Sequence, residues 1–345
     1  MLRFLTAGES HGKALLGILE GMPAGLRIDR GFLDKELARR QSGYGRGKRM
    51  QIEKDKAEIV SGVIKSITIG SPIGLFIKNK DASIDKLPPL YFPRPGHGDF
   101  AGGIKYGFSN LRCVLERASA RETAMRVAIG AICKMLLGKF KIRILSRICS
   151  IGTETKENKI KKAIDQAKKI KDTLGGTFRV VVKDMPVGLG SYVHYDRKLD
   201  ARLASGLMSI PAIKAVEIGL GFGYADKCGS KVHDAIYYSK NKGYYRLTNN
   251  AGGIEAGVSN GEDIVLGVCM KPISTVGNPL DSVDIRTKKP HKAGVERYDT
   301  CAVYSASVVA EAVVAFEVAG AFLEKFGSDT IKEISRDFVS CQKNI

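Results

Sequence analysis

Short runs of Val, Ile and Leu recur along the chain, and Gly or Pro separates most of them from their neighbours. Such runs are typical of β-strands bounded by turns. The predicted strands cover residues 2–7, 14–20, 59–69, 73–77, 178–183, 214–219 and 264–269. No repeat of fixed period and no long flexible linker interrupts them, so we expect one large domain over residues 1–345.

Two segments have the pattern of amphipathic helices. Residues 29–41 begin at Asp29, a favourable N-cap, and place Leu33 and Leu37 on one face. Residues 158–173 combine an apolar stripe with lysines on the opposite face, and Gly175–Gly176 are expected to cap this helix. The stripe consists of Ile160, Ala163, Ile164, Ala167 and Ile170.

Two longer segments, 116–137 and 305–326, are rich in Ala and other small residues. We expect each to form one continuous helix, the first ending before Gly138 and stabilised by an i,i+4 pair of Glu122 and Arg126. Small side chains would let two such helices pack closely against each other or against a sheet. Together with strands in hairpins, these helices predict the α+β class.

The composition favours a folded, basic protein. At 345 residues with 44% hydrophobic residues, the chain is long enough to bury a sizeable core. Its 55 Lys and Arg against 36 Asp and Glu give a net charge of +19. Such a charge favours anionic partners, which include nucleic acid, a membrane surface and phosphorylated metabolites. The charge alone does not choose between them, because part of it comes from surface-type lysine runs such as 156–171.

The seven cysteines are odd in number, form no CxxC pair and mostly lie in apolar stretches, which is typical of reduced, buried thiols. We expect no metal site. The first residues, MLRFLTAGES, turn polar by residue 8 and do not have the pattern of a signal peptide. The apolar stretch 302–323 carries Glu311 and Glu317, so we expect no transmembrane helix and a cytoplasmic location.

The sequence GESHG at residues 8–12 follows a predicted strand and matches the G-x-S-x-G pattern of serine hydrolases. We exclude a nucleophile at Ser10, because a nucleophile elbow needs earlier strands and the segment after it is strand-like rather than helical. His11, between glycines at a strand end, is a candidate acid or base, since histidine titrates near neutral pH. A structural histidine that hydrogen-bonds within a turn would have the same pattern.

A glycine-rich basic segment, RRQSGYGRGKRM, occupies residues 39–50. Arginine binds phosphate and carboxylate groups in a bidentate manner, and the three glycines would let this loop close over a small anion. A solvated basic loop or an RNA-binding loop would look the same in isolation.

A second histidine lies in the turn RPGHGD at residues 94–99, which KYG follows at 105–107. Pro95 stiffens this turn and its glycines expose His97 beside an arginine, which again suggests acid–base chemistry near an anion. In ERASARETAMRVAIGA at 116–131, basic residues lie at a predicted helix N-terminus, where backbone N–H groups and the helix dipole favour phosphate.

Two further motifs, MKPIST at 270–275 and GVERYDTCA at 294–302, precede the last long helix. In the second motif Arg297 and Asp299 are two residues apart. They form either a simple ion pair or a base held within an anion site.

Taken in order, these motifs resemble the chorismate synthase family. The resemblance runs through essentially the whole chain, and its specificity comes from the ordered set rather than from any one motif. The set is GESHG, RRQSGYGRGKRM, RPGHGD with KYG, SARET, VEIGLGFG at 216–223, NNAGGIEAG at 249–257, KPIST and RYDTCAV.

The resemblance implies a lyase that requires reduced FMN and removes phosphate from 5-enolpyruvylshikimate 3-phosphate by 1,4-anti elimination to give chorismate, the last step of the shikimate pathway. His11 matches the family's acid toward the departing phosphate, and His97 matches the histidine that supports the charge of the reduced flavin. Asp299 matches the carboxylate near the flavin N5 edge. The family's basic substrate pocket corresponds to Arg40, Arg46, Arg94, Arg121 and Arg297.

The family's flavin-contacting segments correspond to a second set of residues. They are Arg117, Ala118, Ser119, Pro211, Ala212, Ala256, Lys271, Pro272, Ile273, Ser274, Thr275 and Arg297. The family's NADP contacts correspond to Arg40 and Arg46, which also match substrate contacts. Because GLGFG at 219–223 lacks the spacing of a dinucleotide fingerprint, we favour an external flavin reductase, with NADPH as the alternative direct reductant.

The chain departs from the family pattern at several positions. Tyr298 and Thr300 give RYDT where the family usually has RHDP. Gly98 stands for a usual Ala, Ala118 for a usual Ser and Ala256 for a usual Gly. Tyr298 flanks Asp299 and is therefore the departure closest to the expected chemistry.

The resemblance also implies an architecture and an assembly. We expect a β-α-β sandwich with β-sheets in the core and helices packed outside, and a homotetramer whose contacts the small-residue helices would serve. The competing hypothesis is a basic nucleic-acid-binding protein, but no established binding motif is present and Trp is absent. We therefore expect a small anionic substrate and neither a nucleic-acid nor a membrane partner.

Overall fold

The computed structural model describes residues 1–47, 54–241, 243–327 and 329–342, so the end of the basic segment, 48–50, lies outside the described residues. Two antiparallel four-stranded sheets dominate this part of the chain. The first contains β1 (Arg3–Ala7), β2 (Ala14–Glu20), β3 (Glu58–Ile59) and β6 (Ile73–Lys78), in the order β1-β2-β6-β3. The second contains β7 (Arg143–Ile151), β8 (Gly176–Lys183), β9 (Ile213–Ile218) and β14 (Ile264–Met270), in the order β7-β8-β14-β9.

Four small hairpins join or flank these sheets. They are β4 (Val63–Ile64) with β5 (Ile67–Thr68), β10 (Ile236–Ser239) with β11 (Gly243–Arg246), β12 (Ile254–Glu255) with β13 (Val258–Ser259), and β15 (Asp281–Val283) with β16 (Pro290–Lys292). Six of the seven predicted strands are confirmed to within two residues. The continuous strand predicted over 59–69 is wrong, because Lys65 and Ser66 adopt positive φ angles and turn the chain into the β4–β5 hairpin.

The helices are α1 (Arg30–Gln41), α2 (Asp99–Tyr106), α3 (Arg112–Ala118), α4 (Thr123–Lys139), α5 (Glu157–Lys169), α6 (Leu199–Met208), α7 (Val303–Phe326) and α8 (Ile331–Gln342). At the start of α1, the carboxylate of Asp29 accepts a hydrogen bond from the N–H of Phe32, which confirms the predicted N-cap. The predicted helix at 305–326 is confirmed and begins two residues earlier.

The two longest helices, α4 and α7, lie between the sheets. Helix α4 contacts β2 of the first sheet, and α7 contacts β7 and β8 of the second. An added Cβ on Gly130 of α4 would lie 2.4 Å from the Cβ of Ala312 of α7, so the small residues do allow the predicted close packing. The α+β class and the β-α-β sandwich are confirmed, with α4 and α7 as its middle layer, so the expectation of helices outside the sheets is wrong for this pair. Both helices are buried on almost every face, and such helices are stable only inside a core.

Helix α7 is long and apolar enough to cross a membrane by length and composition alone. However, 89% of its most apolar window is buried inside the fold, as is typical of the core helix of a folded domain. One continuous cluster of buried hydrophobic side chains surrounds it and extends from Leu15 to Phe338.

The single helix predicted over 116–137 is broken in two. Helix α3 ends at Ala118, a 3-10 turn follows at Ala120–Glu122, and α4 starts at Thr123. The break occurs at Ser119, which is extended (φ −66°, ψ 142°) and whose hydroxyl accepts a hydrogen bond from the N–H of Arg121. A serine that bonds the backbone in this way competes with the helical pattern. The predicted Glu122–Arg126 pair is confirmed, with an N–O distance of 3.0 Å.

The amphipathic helix predicted over 158–173 is shorter than expected. Helix α5 ends at Lys169, and Lys171 adopts the left-handed conformation that terminates it. Gly175–Gly176 therefore do not cap the helix, and Gly176 is the first residue of β8. Ile170, predicted on the buried stripe, is 54% exposed because it lies beyond the last helical turn.

Candidate active site

A cavity of about 850 Å³ opens beside the N-terminal ends of α4 and α7. Its lining brings together most of the predicted site residues from distant parts of the chain. These are His11, Arg40, Arg46, Arg94, His97, Ala118, Ser119, Arg121, Pro211, Ala212, Lys271, Ile273, Ser274, Thr275, Arg297 and Asp299. A smaller cleft of about 590 Å³, on the outer face of the second sheet, contains none of them.

His11 is buried at the end of the β1–β2 turn, with 7% of its surface exposed. The turn requires glycine at position 8, where φ is 110° and an added Cβ would lie 2.3 Å from the carbonyl oxygen of Ala14. His11 Nδ1 lies 3.0 Å from Oε1 of Glu116. On the other side of the ring, Nε2 lies 4.0 Å from Oδ2 of Asp81.

His97 forms the second carboxylate–histidine pair of the site. Its Nδ1 lies 2.7 Å from Oδ1 of Asp99, a residue with no exposed surface. Arg94 donates from Nε to Oδ2 of Asp99 at 2.8 Å and from Nη1 to the hydroxyl of Thr275 at 2.8 Å. Burial raises the pKa of Asp99, but hydrogen bonds from His97 and Arg94 outweigh it and hold that pKa well below its usual range. The carboxylate is therefore ionised and orients both side chains.

Arg40 and Arg121 converge on a buried carboxylate, Asp55. Arg121 donates from Nη1 to both oxygens of Asp55, at 2.7 and 2.8 Å, and Arg40 approaches the same group at 3.5 Å. Burial, together with the neighbouring Arg46 and Arg121, lowers the pKa of Arg40 to about 10 against the opposing effect of Asp55. Arg40 still carries its charge at neutral pH, so these residues present dense positive charge to the cavity.

The basic loop is held against the segment that precedes α7. Arg46 Nη1 lies 2.6 Å from Oδ2 of Asp299, and the N–H of Gly47 donates to Oδ1 of Asp299 at 2.6 Å. The sequence left open an ion pair between Arg297 and Asp299. In the structure Asp299 pairs with Arg46, and Arg297 instead donates to Asp81 at 2.7 Å. Among the described residues, the buried Nε of Arg46 has no hydrogen-bond partner, so its N–H is available to donate to an anion.

Three predicted flavin contacts are not part of the cavity lining, namely Arg117, Pro272 and Ala256. Arg117 points away, and donates to the carbonyl oxygens of Gly8 at 3.1 Å and Thr6 at 3.2 Å. Ala256 lies in the exposed turn between β12 and β13, where it adopts a φ of 50°. This left-handed conformation suits the glycine that the family usually has there.

Two of the departures from the family pattern have a structural account. The N–H of Thr300 donates to the carbonyl oxygen of Gly45 at 2.9 Å, a bond to the basic loop that the usual proline cannot make. At Gly98, an added Cβ would meet nothing within 4 Å, so the usual alanine would also fit. Tyr298 lines the cavity, with its hydroxyl against Gly277.

Sequence reasoning missed the carboxylates that support the predicted cations, namely Asp55, Asp81, Asp99 and Glu116. Asp99 and Glu116 lie within the motifs RPGHGD and ERASARET, next to candidate histidine and arginine residues. This closeness in sequence could have identified them as partners of the site. Asp55 and Asp81 have no such signal, because only the fold brings them to Arg121 and Arg297.

The cysteines differ in reactivity. All seven are free, and Cys113 and Cys228 are exposed, so the expectation of buried thiols is wrong for these two. Burial raises the pKa of Cys301 to about 11 and raises that of Cys133 further. A raised pKa removes the reactive thiolate at neutral pH. We therefore expect iodoacetamide at pH 7 to alkylate Cys113 and Cys228 long before Cys301. Peptide mass spectrometry checks this, and equal rates for Cys113 and Cys301 would contradict the burial of Cys301.

The fold and the site are those of an enzyme with a small-molecule substrate. Five arginines and two histidines, each paired with a carboxylate, line one cavity. Residues 2–323 match the family model described as chorismate synthase. The chain therefore belongs to the chorismate synthase family, lyases that catalyse the last step of the shikimate pathway.

Individual relatives agree with this assignment. Chorismate synthase of Caldanaerobacter subterraneus subsp. tengcongensis is 54% identical, over 98% of this chain and 97% of its own length. That of Geobacter sulfurreducens is 49% identical, over 98% of each chain. A crystal structure of chorismate synthase has a TM-score of 0.82 at 41% identity, and covers 99% of this chain and 98% of that one.

Proposed function

We propose that this protein converts 5-enolpyruvylshikimate 3-phosphate to chorismate and inorganic phosphate, with reduced FMN bound in the 850 Å³ cavity. The observation that carries the proposal is the convergence of Arg40, Arg46, Arg94, Arg121 and Arg297 with two carboxylate-held histidines around this cavity. A phosphate and two carboxylates on one small molecule need this density of charge and this kind of proton donor.

The cavity suits a flavin as well as the substrate. Its volume lies within the range of about 300–1,000 Å³ that is typical of cofactor and ligand sites. Leu115, Ile210, Met270 and Val309 give it an apolar wall for a ring system. Polar groups for a phosphate tail come from Ser119, Lys271, Ser274 and Thr275, and Ala118, Pro211, Ala212 and Ile273 complete this side.

Bound reduced flavin would supply electron density as the phosphate leaves, which is needed because the hydrogen that is lost is not next to a carbonyl group. The residues of the chain supply orientation and charge. The arginines bind the anionic groups and neutralise the departing phosphate, and the enclosed apolar wall limits water. His11 would donate a proton to the departing phosphate, and His97 with Asp99 would support the charge of bound reduced flavin. Asp299 would help to move the separate proton that the substrate loses.

Replacing Arg46 by alanine is expected to weaken substrate binding by about ten- to a hundredfold, because a positive charge and a charge-assisted hydrogen bond from Nε are lost. Binding should also become less sensitive to salt, since one positive charge has been removed from the site. Isothermal titration at two salt concentrations measures both effects. Arg147→Ala, an exposed arginine of the other cleft, is the matched control and should change neither. Unchanged affinity in Arg46→Ala would mean that the loop does not contact substrate.

The protein is proposed to act in the cytoplasm as a homotetramer. The outward face of the first sheet exposes Leu5, Leu16 and Ile18 at 50–70%, which supports contact with another copy. The small-residue helices cannot serve these contacts as expected, because α4 and α7 are buried inside one subunit. Light scattering should give about four times 37.4 kDa.

The source of reduced flavin is proposed to be an external reductase. The NADP contacts of the family fall on Arg40 and Arg46, which line the cavity and are proposed to bind the substrate there. An anaerobic assay that follows phosphate and chorismate tests the whole proposal. Activity with chemically reduced FMN, but not with NADPH and oxidised FMN, is the expected result. Failure to bind flavin and to release phosphate would overturn it.

A further inference from the structure

We propose that Glu116 is a positioning residue that fixes the ring of His11 with its proton on Nδ1 and so presents Nε2 to the cavity. The kinetic part of this inference rests on the proposed function. The part that concerns the ring of His11 does not, and it is tested separately below.

The carboxylate of Glu116 is engaged almost entirely by His11. Glu116 is 2% exposed, its Oε2 accepts the backbone N–H of His11 at 2.8 Å, and Nδ1 of the ring lies 3.0 and 3.1 Å from its two oxygens. The backbone carbonyl of Glu116 also accepts the N–H of Ser10 at 3.0 Å. One residue of α3 therefore holds both the backbone and the ring of the 10–11 segment.

The charges around this pair are balanced by arginines. Arg112 Nη1 lies 4.0 Å from Oε1 of Glu116, and Asp81, on the Nε2 side of His11, accepts from Arg297. Burial raises the pKa of Glu116, but the ring and backbone hydrogen bonds of His11 outweigh it and leave that pKa lowered. An ionised carboxylate only accepts hydrogen bonds, so Nδ1 of His11 must carry a proton.

This arrangement suits a proton donor in both of its states. Protonated His11 has both ring N–H groups, one bonded to Glu116 and the other, on Nε2, free to pass its proton to an oxygen of the departing phosphate. Afterwards the neutral ring keeps its proton on Nδ1, where Glu116 still accepts it. No rotation of the ring is needed between the two states, so Nε2 keeps its position when the proton leaves.

The test is Glu116→Gln, which keeps the size of the side chain. Its amide can donate as well as accept, so it no longer enforces the proton on Nδ1. We expect kcat to fall by about 10²-fold or more, as when a histidine loses the carboxylate that sets its tautomer. The KM for 5-enolpyruvylshikimate 3-phosphate should change little. Glu116→Asp keeps the charge and should recover part of the lost kcat.

Nitrogen-15 NMR of the imidazole rings gives a readout that is independent of activity. The chain has five histidines, and His11→Ala identifies the signal of His11. In the unmodified protein without substrate, at a pH where the ring is neutral, we expect the proton on Nδ1. In Glu116→Gln we expect a population with the proton on Nε2. Glu122→Gln, which removes a carboxylate that bonds Thr6 and Arg126 instead, is the matched control and should leave the His11 signal unchanged.

The possible results distinguish a failure of the Glu116 proposal from a failure of the proposed function. A proton on Nε2 in the unmodified protein would overturn the proposal, whether or not Glu116→Gln folds and whether or not the protein makes chorismate. Equal losses of kcat, substrate affinity and flavin affinity, with the tautomer unchanged, would show a purely structural role and would also overturn it. A protein with the Nδ1 proton but no chorismate activity would leave the ring assignment standing and contradict the proposed function instead.

Discussion

Replacing His11 by alanine is expected to lower kcat by about 10²- to 10⁴-fold, the usual contribution of a positioned general acid. The KM for substrate should change much less, because the arginines that bind the anionic groups remain in place. The physical reason is the position of the ring. His11 is held by Glu116 through Nδ1 of its ring, and it lines the same cavity as the five arginines.

Steady-state kinetics under anaerobic conditions with reduced FMN measures this effect. His194→Ala is a suitable control, since His194 is exposed, pairs with Asp196 and does not line the cavity. Normal turnover in His11→Ala would remove its role as a proton donor. Loss of substrate affinity in place of turnover would assign it to binding.

Replacing Lys134 by methionine is expected to destabilise the protein by about 3–5 kcal/mol, the cost of leaving a buried charge without its partner. Lys134 donates to Glu36 at 2.5 Å and to Glu311 at 2.6 Å, and both carboxylates are buried. Arg39 and Ser146 also bond Glu311. Methionine fills a similar volume but leaves two buried carboxylates close together with one arginine between them.

Chemical denaturation of the flavin-free protein, after a check that unfolding is two-state, measures the change in the free energy of unfolding. Lys161→Met removes an exposed helical pair with Glu157 and should cost no more than about 0.5 kcal/mol. A similarly small loss for Lys134→Met would mean that water reaches the cluster and that it does not anchor α1 to α4 and α7.

Much of the fold was predictable because it is encoded locally. Strands such as 14–20 are runs of Leu and Ile. The N-cap and the apolar face of α1 can both be read from its own sequence. The layer order was not predictable in this way, because the apolar character of α4 and α7 shows that they are buried but not what covers them. Strand β7 was missed, since RILSRICSI mixes arginine and serine with its apolar residues and stands at a sheet edge.

The candidate site was likewise predictable only in part. Its cations could be found in the sequence, because arginine and histidine stand in glycine-rich turns such as RPGHGD. Their partners depend on contacts between distant segments, as with Asp55 and Arg121, which are 66 residues apart. The break at Ser119 was also missed, because the segment has high helical propensity and the hydrogen bonds of the Ser119 hydroxyl, to Arg121 and Ser10, are not visible in the sequence.

The number of chorismate molecules formed per reduced FMN tests most directly whether the protein is a chorismate synthase that uses reduced FMN as a catalyst. The assay is anaerobic, with no other reductant and with substrate in large molar excess over reduced FMN. Because the elimination involves no net oxidation or reduction, we predict that chorismate and phosphate form in equal amounts and greatly exceed the flavin present. A yield limited to one chorismate per FMN, or phosphate release without chorismate, would contradict the account.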